Sequence, residues 1–123
     1  MYRTLVDQLL RIKDRAKWSW AGFAHVYRTE NSLMQWLVAN AVFAVLAFVL
    51  PLDMAVRGML LMGGVLVLAA ECVNTAIERV VDDISLEQRD LARQAKDCGS
   101  AAVAVTAVAV GIAWVCVIIG LLN

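Results

Sequence analysis

Charge is scarce in this 123-residue chain, at 18% of residues, and histidine and proline occur once each. The eleven basic and eleven acidic residues cancel. That speaks against a nucleic-acid binder, whose footprint is a basic surface. The three cysteines, Cys72, Cys98 and Cys116, are too scattered for a disulfide scaffold, and along apolar runs they act as small hydrophobes. There is no Gly-rich phosphate loop of the GxxxxGK(S/T) type, no GxGxxG, and no His/Cys cluster with metal spacing. The single histidine, His25, reads as an interfacial residue rather than a catalyst. In place of these the chain has apolar residues, 62% of the total, and a mean hydropathy of +0.72. Disorder is excluded by that hydropathy, which also exceeds what a soluble domain of this size needs. The composition is that of a small integral membrane protein.

A bilayer crossing takes roughly 20 apolar residues at 1.5 Å rise each. Three stretches qualify: Ser32 to Leu52 and Cys98 to Leu122, both reading as apolar spans, and Met54 to Ile77, apolar apart from Arg57, Glu71 and Asn74. Pro51 favours a turn before Asp53. The expected fold is all-α, with transmembrane helices over about 32–50, 55–79 and 97–121 in one domain covering 1–123. Met1 to Lys17 mixes charged and apolar residues and does not read as a signal peptide. There Leu5, Val6, Leu9, Leu10 and Ile12 form a helical apolar stripe among Arg3, Asp7, Arg11, Lys13, Asp14, Arg15 and Lys17. This predicts an amphipathic helix over about 2–19 on the membrane surface, with Trp18 and Trp20 at headgroup depth. A soluble helix docked on another protein is the alternative.

Six basic residues precede the first span and four lie between the second and third (Arg79, Arg89, Arg93, Lys96), against Arg57 alone in the first connection. The positive-inside rule therefore expects a cytoplasmic N-terminus and second loop, and an external C-terminus.

A carboxylate inside a span costs a few kcal/mol on insertion scales, so Glu71 requires a reason. Glu71, Asn74 and Glu78 are spaced i, i+3, i+7 and share one helical face. Of two carboxylates two turns apart, the deeper can take a proton and the shallower can hold a divalent cation. An interhelical hydrogen-bond cluster that glues a bundle together would use the same spacing. Glu30, before the first span, suits a helix start and lies at the depth of Glu78 if the two helices are neighbours. Asp97 suits the N-cap of the third span, with Lys96 snorkelling beside it. The small residues Gly99, Ser100 and Ala101 allow a close neighbour. One chain of three spans is not expected to shield Glu71 and Asn74 from lipid, so an intersubunit face is expected.

Glu71-Cys-Val-Asn-Thr-Ala-Ile-Glu78, then Val81-Asp82, then Ala95-Lys-Asp-Cys-Gly-Ser-Ala-Ala-Val103, resembles the signature of the bacterial diacylglycerol kinase family. That signature runs E-x-x-N-(S/T)-A-(I/L)-E, V-D, A-K-D-x-(G/A)-S-A-A-V, and the match spans 33 residues without a gap. The resemblance covers nearly the whole chain, more loosely at Ser19-Trp20-x-Gly22 and Glu30, and departs at Asp14 and Trp18, where a basic residue and a tyrosine are usual. It implies a homotrimer with sites shared between subunits. The implied reaction is phosphoryl transfer from Mg-ATP to diacylglycerol, giving phosphatidic acid at the bacterial inner membrane. By the same resemblance Glu71 is the general base and Asn74 orients Glu71 or the transferred phosphate, while Glu30 and Glu78 hold Mg2+. Trp18, Glu87, Lys96 and Asp97, with Glu30 and Glu78, contact nucleotide. Arg11 meets phosphates or the lipid headgroup, and Trp20 and Ser100 lie against the lipid. An undecaprenol kinase would share the pattern; a non-enzymatic assembly or channel using Glu71 as a pore residue is the rival of another class.

Overall fold

The computed structural model describes residues 2–123, the side chains of residues 2, 3 and 5 excepted. Arg3 and Leu5, counted above toward orientation and the apolar stripe, lie outside the described side chains. The described residues form four helices: α1 (Tyr2–Thr29), α2 (Asn31–Val49), α3 (Met54–Ile84) and α4 (Asp90–Leu122). The last three are long and apolar enough to cross a membrane. The all-helical, three-span expectation holds, but three helix ends move.

The surface helix runs to Thr29 rather than stopping near residue 19, because nothing between Trp20 and Thr29 breaks it except the tolerated Gly22. Only Glu30 is extended, at φ −114° and ψ 111°, so α1 and α2 are joined by a one-residue hinge. Val6, Leu9, Leu10 and Ile12 remain exposed within the chain, while Val26 is buried and Phe23 and Ala24 are half-buried. The helix docks by its last turns and leaves its apolar stripe open, as a membrane-surface helix requires.

The second and third spans overrun their apolar cores. At 1.5 Å per residue the 31 residues of α3 reach about 46 Å and the 33 of α4 about 50 Å, beyond the ~30 Å of hydrocarbon. The α4 extension corrects the placement of Asp97. Leu91-Ala-Arg-Gln-Ala95 are strong helix formers, so α4 begins at Asp90, with Arg89 at its N-cap position. Asp97 stands two turns inside the helix and pairs with Arg93 (Nη1 to Oδ2, 2.9 Å).

The core is a stripe along each helix. On α3 the buried positions Leu60, Val67, Glu71 and Thr75 recur at seven- and four-residue steps, the period of one helical face. At the end away from Glu71, Trp114 packs with Ala47 and Leu60, its ring centroid 5.1 Å from that of Phe43. The hairpin between α2 and α3 is fastened twice. Asp53 Oδ1 accepts from the backbone N–H groups of Ala55 (2.9 Å) and Val56 (3.0 Å), capping α3. Arg57 Nε donates to the Ala47 carbonyl at 2.7 Å and Nη2 to that of Leu50 at 3.3 Å, satisfying carbonyls at the end of α2. Its guanidinium carbon lies 5.2 Å from the centre of the Phe48 ring.

Losing an N-cap acceptor costs about 1 kcal/mol. Asp53→Ala is therefore expected to lower the thermal unfolding midpoint in detergent, and Asp53→Asn, which keeps an acceptor, to recover most of the loss.

Candidate active site

The charged end of the molecule is assembled from the C-terminal half of α3, the hinge at Glu30 and the first turns of α4. Glu71 is 4% exposed, and among the described residues no hydrogen bond or ion pair reaches its carboxylate. The packed stripe of α3 covers most of Glu71 within one chain, while Asn74 on the same side is only half-buried. Thr75, one turn on, is equally buried.

Asn74 sits on the adjoining part of the face and bonds toward Glu78. Its Nδ2 donates to Glu78 Oε1 at 3.0 Å, while Oδ1 is buried without a hydrogen-bond partner. The buried Gly99 of α4 lies against that oxygen, so close that a Cβ there would collide with Asn74 Oδ1. Helix α4 can approach the amide only because it presents no side chain. An unsatisfied buried acceptor costs about 1–3 kcal/mol, a cost that Asn74 carries where α4 packs on it.

Glu30 and Glu78 line one depression of about 660 Å³, together with Arg79, Val80, Asp82 and Asp83. Glu30 Oε1 pairs with Arg79 Nη2 at 3.2 Å. The same nitrogen donates to Thr29 Oγ1 at 3.0 Å, tying the α1–α2 hinge to α3. A second depression, of about 450 Å³, lies between the end of α3 and the start of α4 and is lined by Asp82, Ser85, Glu87, Arg89, Arg93 and Lys96 among others. There Lys96 Nζ pairs with Asp82 Oδ1 at 2.6 Å, and the Glu87 backbone N–H donates to Ser85 Oγ at 3.1 Å. Asp82 borders both hollows.

The structure therefore groups Glu30 with Glu78, Asn74 with Glu78, and Glu87 with Lys96. Asp97 is taken up by Arg93, and Ser100 is exposed beside Gly99. Arg11, Trp18 and Trp20 are exposed on α1 and line neither hollow. Arg79 and Asp82, which pair with two of the expected site residues, were not among those candidates. Arg79 meets Glu30 across 49 positions, and no local spacing announces such a pair.

Among the described residues no group of three His, Cys, Asp or Glu side chains could hold a metal alone. Magnesium, however, is held by one or two carboxylates plus substrate phosphates rather than by an all-protein cage. The all-oxygen set of Glu30 and Glu78, with Asp82 and Asp83 at the same hollow, fits a hard cation that arrives with a nucleotide.

Comparison with known proteins gives a consistent picture. Residues 17–118 match the family model of prokaryotic diacylglycerol kinase. The diacylglycerol kinase of Pseudomonas aeruginosa is 35% identical over 112 residues, 91% of each chain. That of Escherichia coli K12 is 38% identical over 104 residues, 85% of each chain. The Haemophilus influenzae protein of the same name is 32% identical over 115 residues, 93% of this chain and 95% of its own.

Gly99→Ala places a methyl group against Asn74 Oδ1. Overpacking of this kind costs about 1–3 kcal/mol. The variant should melt earlier in detergent and lose lipid-kinase turnover, while Ser100→Ala, at the exposed neighbouring position, should melt as the parent does.

Proposed function

Because the chain belongs to the prokaryotic diacylglycerol kinase family, and is a lipid kinase of that family, we propose the following reaction. With Mg2+ present, the γ-phosphoryl group of ATP passes to the hydroxyl of diacylglycerol, giving phosphatidic acid and ADP. The observation that carries the assignment is Glu71, a carboxylate buried in the packed stripe of a membrane-length helix one turn from Thr75 and beside Asn74. A lipid hydroxyl sits at the depth where an apolar span meets its polar end, and there a buried carboxylate can take the proton as the oxygen attacks phosphorus. The bond from the γ-phosphorus to the bridging oxygen breaks, and ADP leaves with its electron pair.

The remaining residues position and neutralise, which is most of what phosphoryl transfer needs. Glu30 and Glu78 would hold Mg2+, which supplies neutralisation of phosphate charge. Asn74, whose Nδ2 donates to Glu78, would use that amide donor to orient Glu71 or the transferred phosphate. Lys96 and Glu87, in the second hollow, serve the nucleotide, and Lys96 exchanges Asp82 for phosphate oxygens. Asp97 would meet the nucleotide at its hydroxyl or amino donors rather than at its phosphates. Arg11, Trp18, Trp20 and Ser100 serve the headgroup, nucleotide and lipid contacts. The exposed α1 residues line neither hollow of their own chain, which supports a homotrimer in which α1 completes a neighbour's site. The clustering of basic residues before α2 and at the adjoining ends of α3 and α4 supports a cytoplasmic N-terminus and site, with the C-terminus outside, in the bacterial inner membrane.

Two amide substitutions separate the roles. Glu71→Gln cannot take the hydroxyl proton, so turnover should fall by about 10²–10⁴-fold with Mg-ATP binding kept. Glu78→Gln retains an acceptor for Asn74 Nδ2 but removes a charged oxygen. Nucleotide affinity should therefore weaken and partly return with excess magnesium. Loss of ATP binding in Glu71→Gln with retention in Glu78→Gln would reverse the assignment.

A further inference from the structure

The hollow shared by Glu30 and Glu78 is acidic except at one point. Its lining includes four carboxylates, Glu30, Glu78, Asp82 and Asp83, and one cation, Arg79. The two carboxylates assigned to Mg2+ are also in different states. Glu78 accepts from a neutral amide, whereas Glu30 already faces a full positive charge.

The form of that contact suits displacement. Charge-assisted N–H···O pairs run at about 2.7–2.9 Å and are strongest when an arginine grips a carboxylate with two nitrogens. Here one nitrogen, Nη2, reaches one oxygen at 3.2 Å, and it is shared with Thr29 Oγ1. The Arg79 side chain is 49% exposed and that of Glu30 27%. Such pairs contribute little to stability, yet this one places a cation on Glu30.

We propose that Arg79 is a built-in counter-ion for Glu30: it occupies the carboxylate while no divalent cation is bound and yields it when the cation enters. The proposal rests on Glu30 and Glu78 as the metal-facing pair. Until then Arg79 holds the hinge residue against α3, so Glu30 is already in the hollow when nucleotide arrives. Once displaced, the guanidinium remains at the same rim, where phosphate oxygens accompany the metal. Arg79 is thus a positioning residue that competes with the metal.

The test is Mn2+ binding to the full chain in detergent without nucleotide, read from the free-ion electron paramagnetic resonance signal. Arg79→Ala and Arg79→Gln both remove the competing charge, and Gln keeps a hydrogen-bond donor should Ala fail to fold. Each should bind Mn2+ about two- to fivefold tighter than the parent, the range expected for an exposed ion pair. Arg79→Lys should bind nearly as the parent does. Adding Glu30→Gln to either charge-removing variant should abolish the gain. Unchanged or weaker binding in the charge-removing variants, with weaker binding in Glu30→Gln alone, would overturn the counter-ion role and leave the metal assignment standing. Parent-like binding in Glu30→Gln would overturn the metal role of Glu30, and the counter-ion role with it.

Discussion

Placing Glu71 in a membrane-length helix constrains much of the charged end of the molecule. Hydrocarbon offers a carboxylate no water, so such a group must face protein or a polar cavity. The chain meets this by putting Glu71 on the stripe that α3 packs inward, in register with Leu60, Val67 and Thr75. The other buried positions toward that end are Val26, Leu33, Gly99 and Val103, so all four helices contribute. Gly99 sets how close α4 comes. With no side chain there, α4 lies against the buried, unpartnered oxygen of Asn74.

Beyond the hydrocarbon the architecture changes character. Helices α3 and α4 continue into the polar region as charged turns linked by Lys96–Asp82, while Arg79–Glu30 links α3 to the hinge before α2. These pairs are partly exposed, and exposed pairs are typically worth ~0.2–1 kcal/mol. They do little for stability, and their low energy leaves the lysine, arginine and carboxylates able to exchange partners. The opposite end is built for permanence, with the Asp53 cap, the Arg57 clamp and the Trp114 cluster. One end is fixed and the other is exchangeable, a division that suits a catalyst working at one membrane face.

Much of this was legible in the residues. Apolar runs marked the spans, Pro51 marked the break between α2 and α3, and the i, i+3, i+7 spacing placed Glu71, Asn74 and Glu78 on one side of α3. Hydropathy ceased to inform where the helices left the membrane. A helix does not end where its apolar residues do, so Ile84 and Asp90 as helix ends lay outside that signal, and Asp97 was misplaced as a cap. Long-range pairing was equally silent: Arg79 finds Glu30, and Arg57 finds Ala47, only after the helices have packed. Which face turns inward was silent too: counting three helices does not say it, and α3 turns Glu71 inward while leaving Asn74 half-buried.

The account stands on phosphoryl transfer to a membrane lipid alcohol, and one measurement reaches it directly. The purified full chain in mixed micelles is given labelled ATP and either diacylglycerol or undecaprenol, with magnesium present or chelated. Labelled phosphatidic acid should appear with diacylglycerol and magnesium and vanish when the metal is chelated. Transfer to undecaprenol alone would change the acceptor while keeping the site. No labelled lipid with either acceptor, from a protein that remains folded in the micelle, would contradict the account.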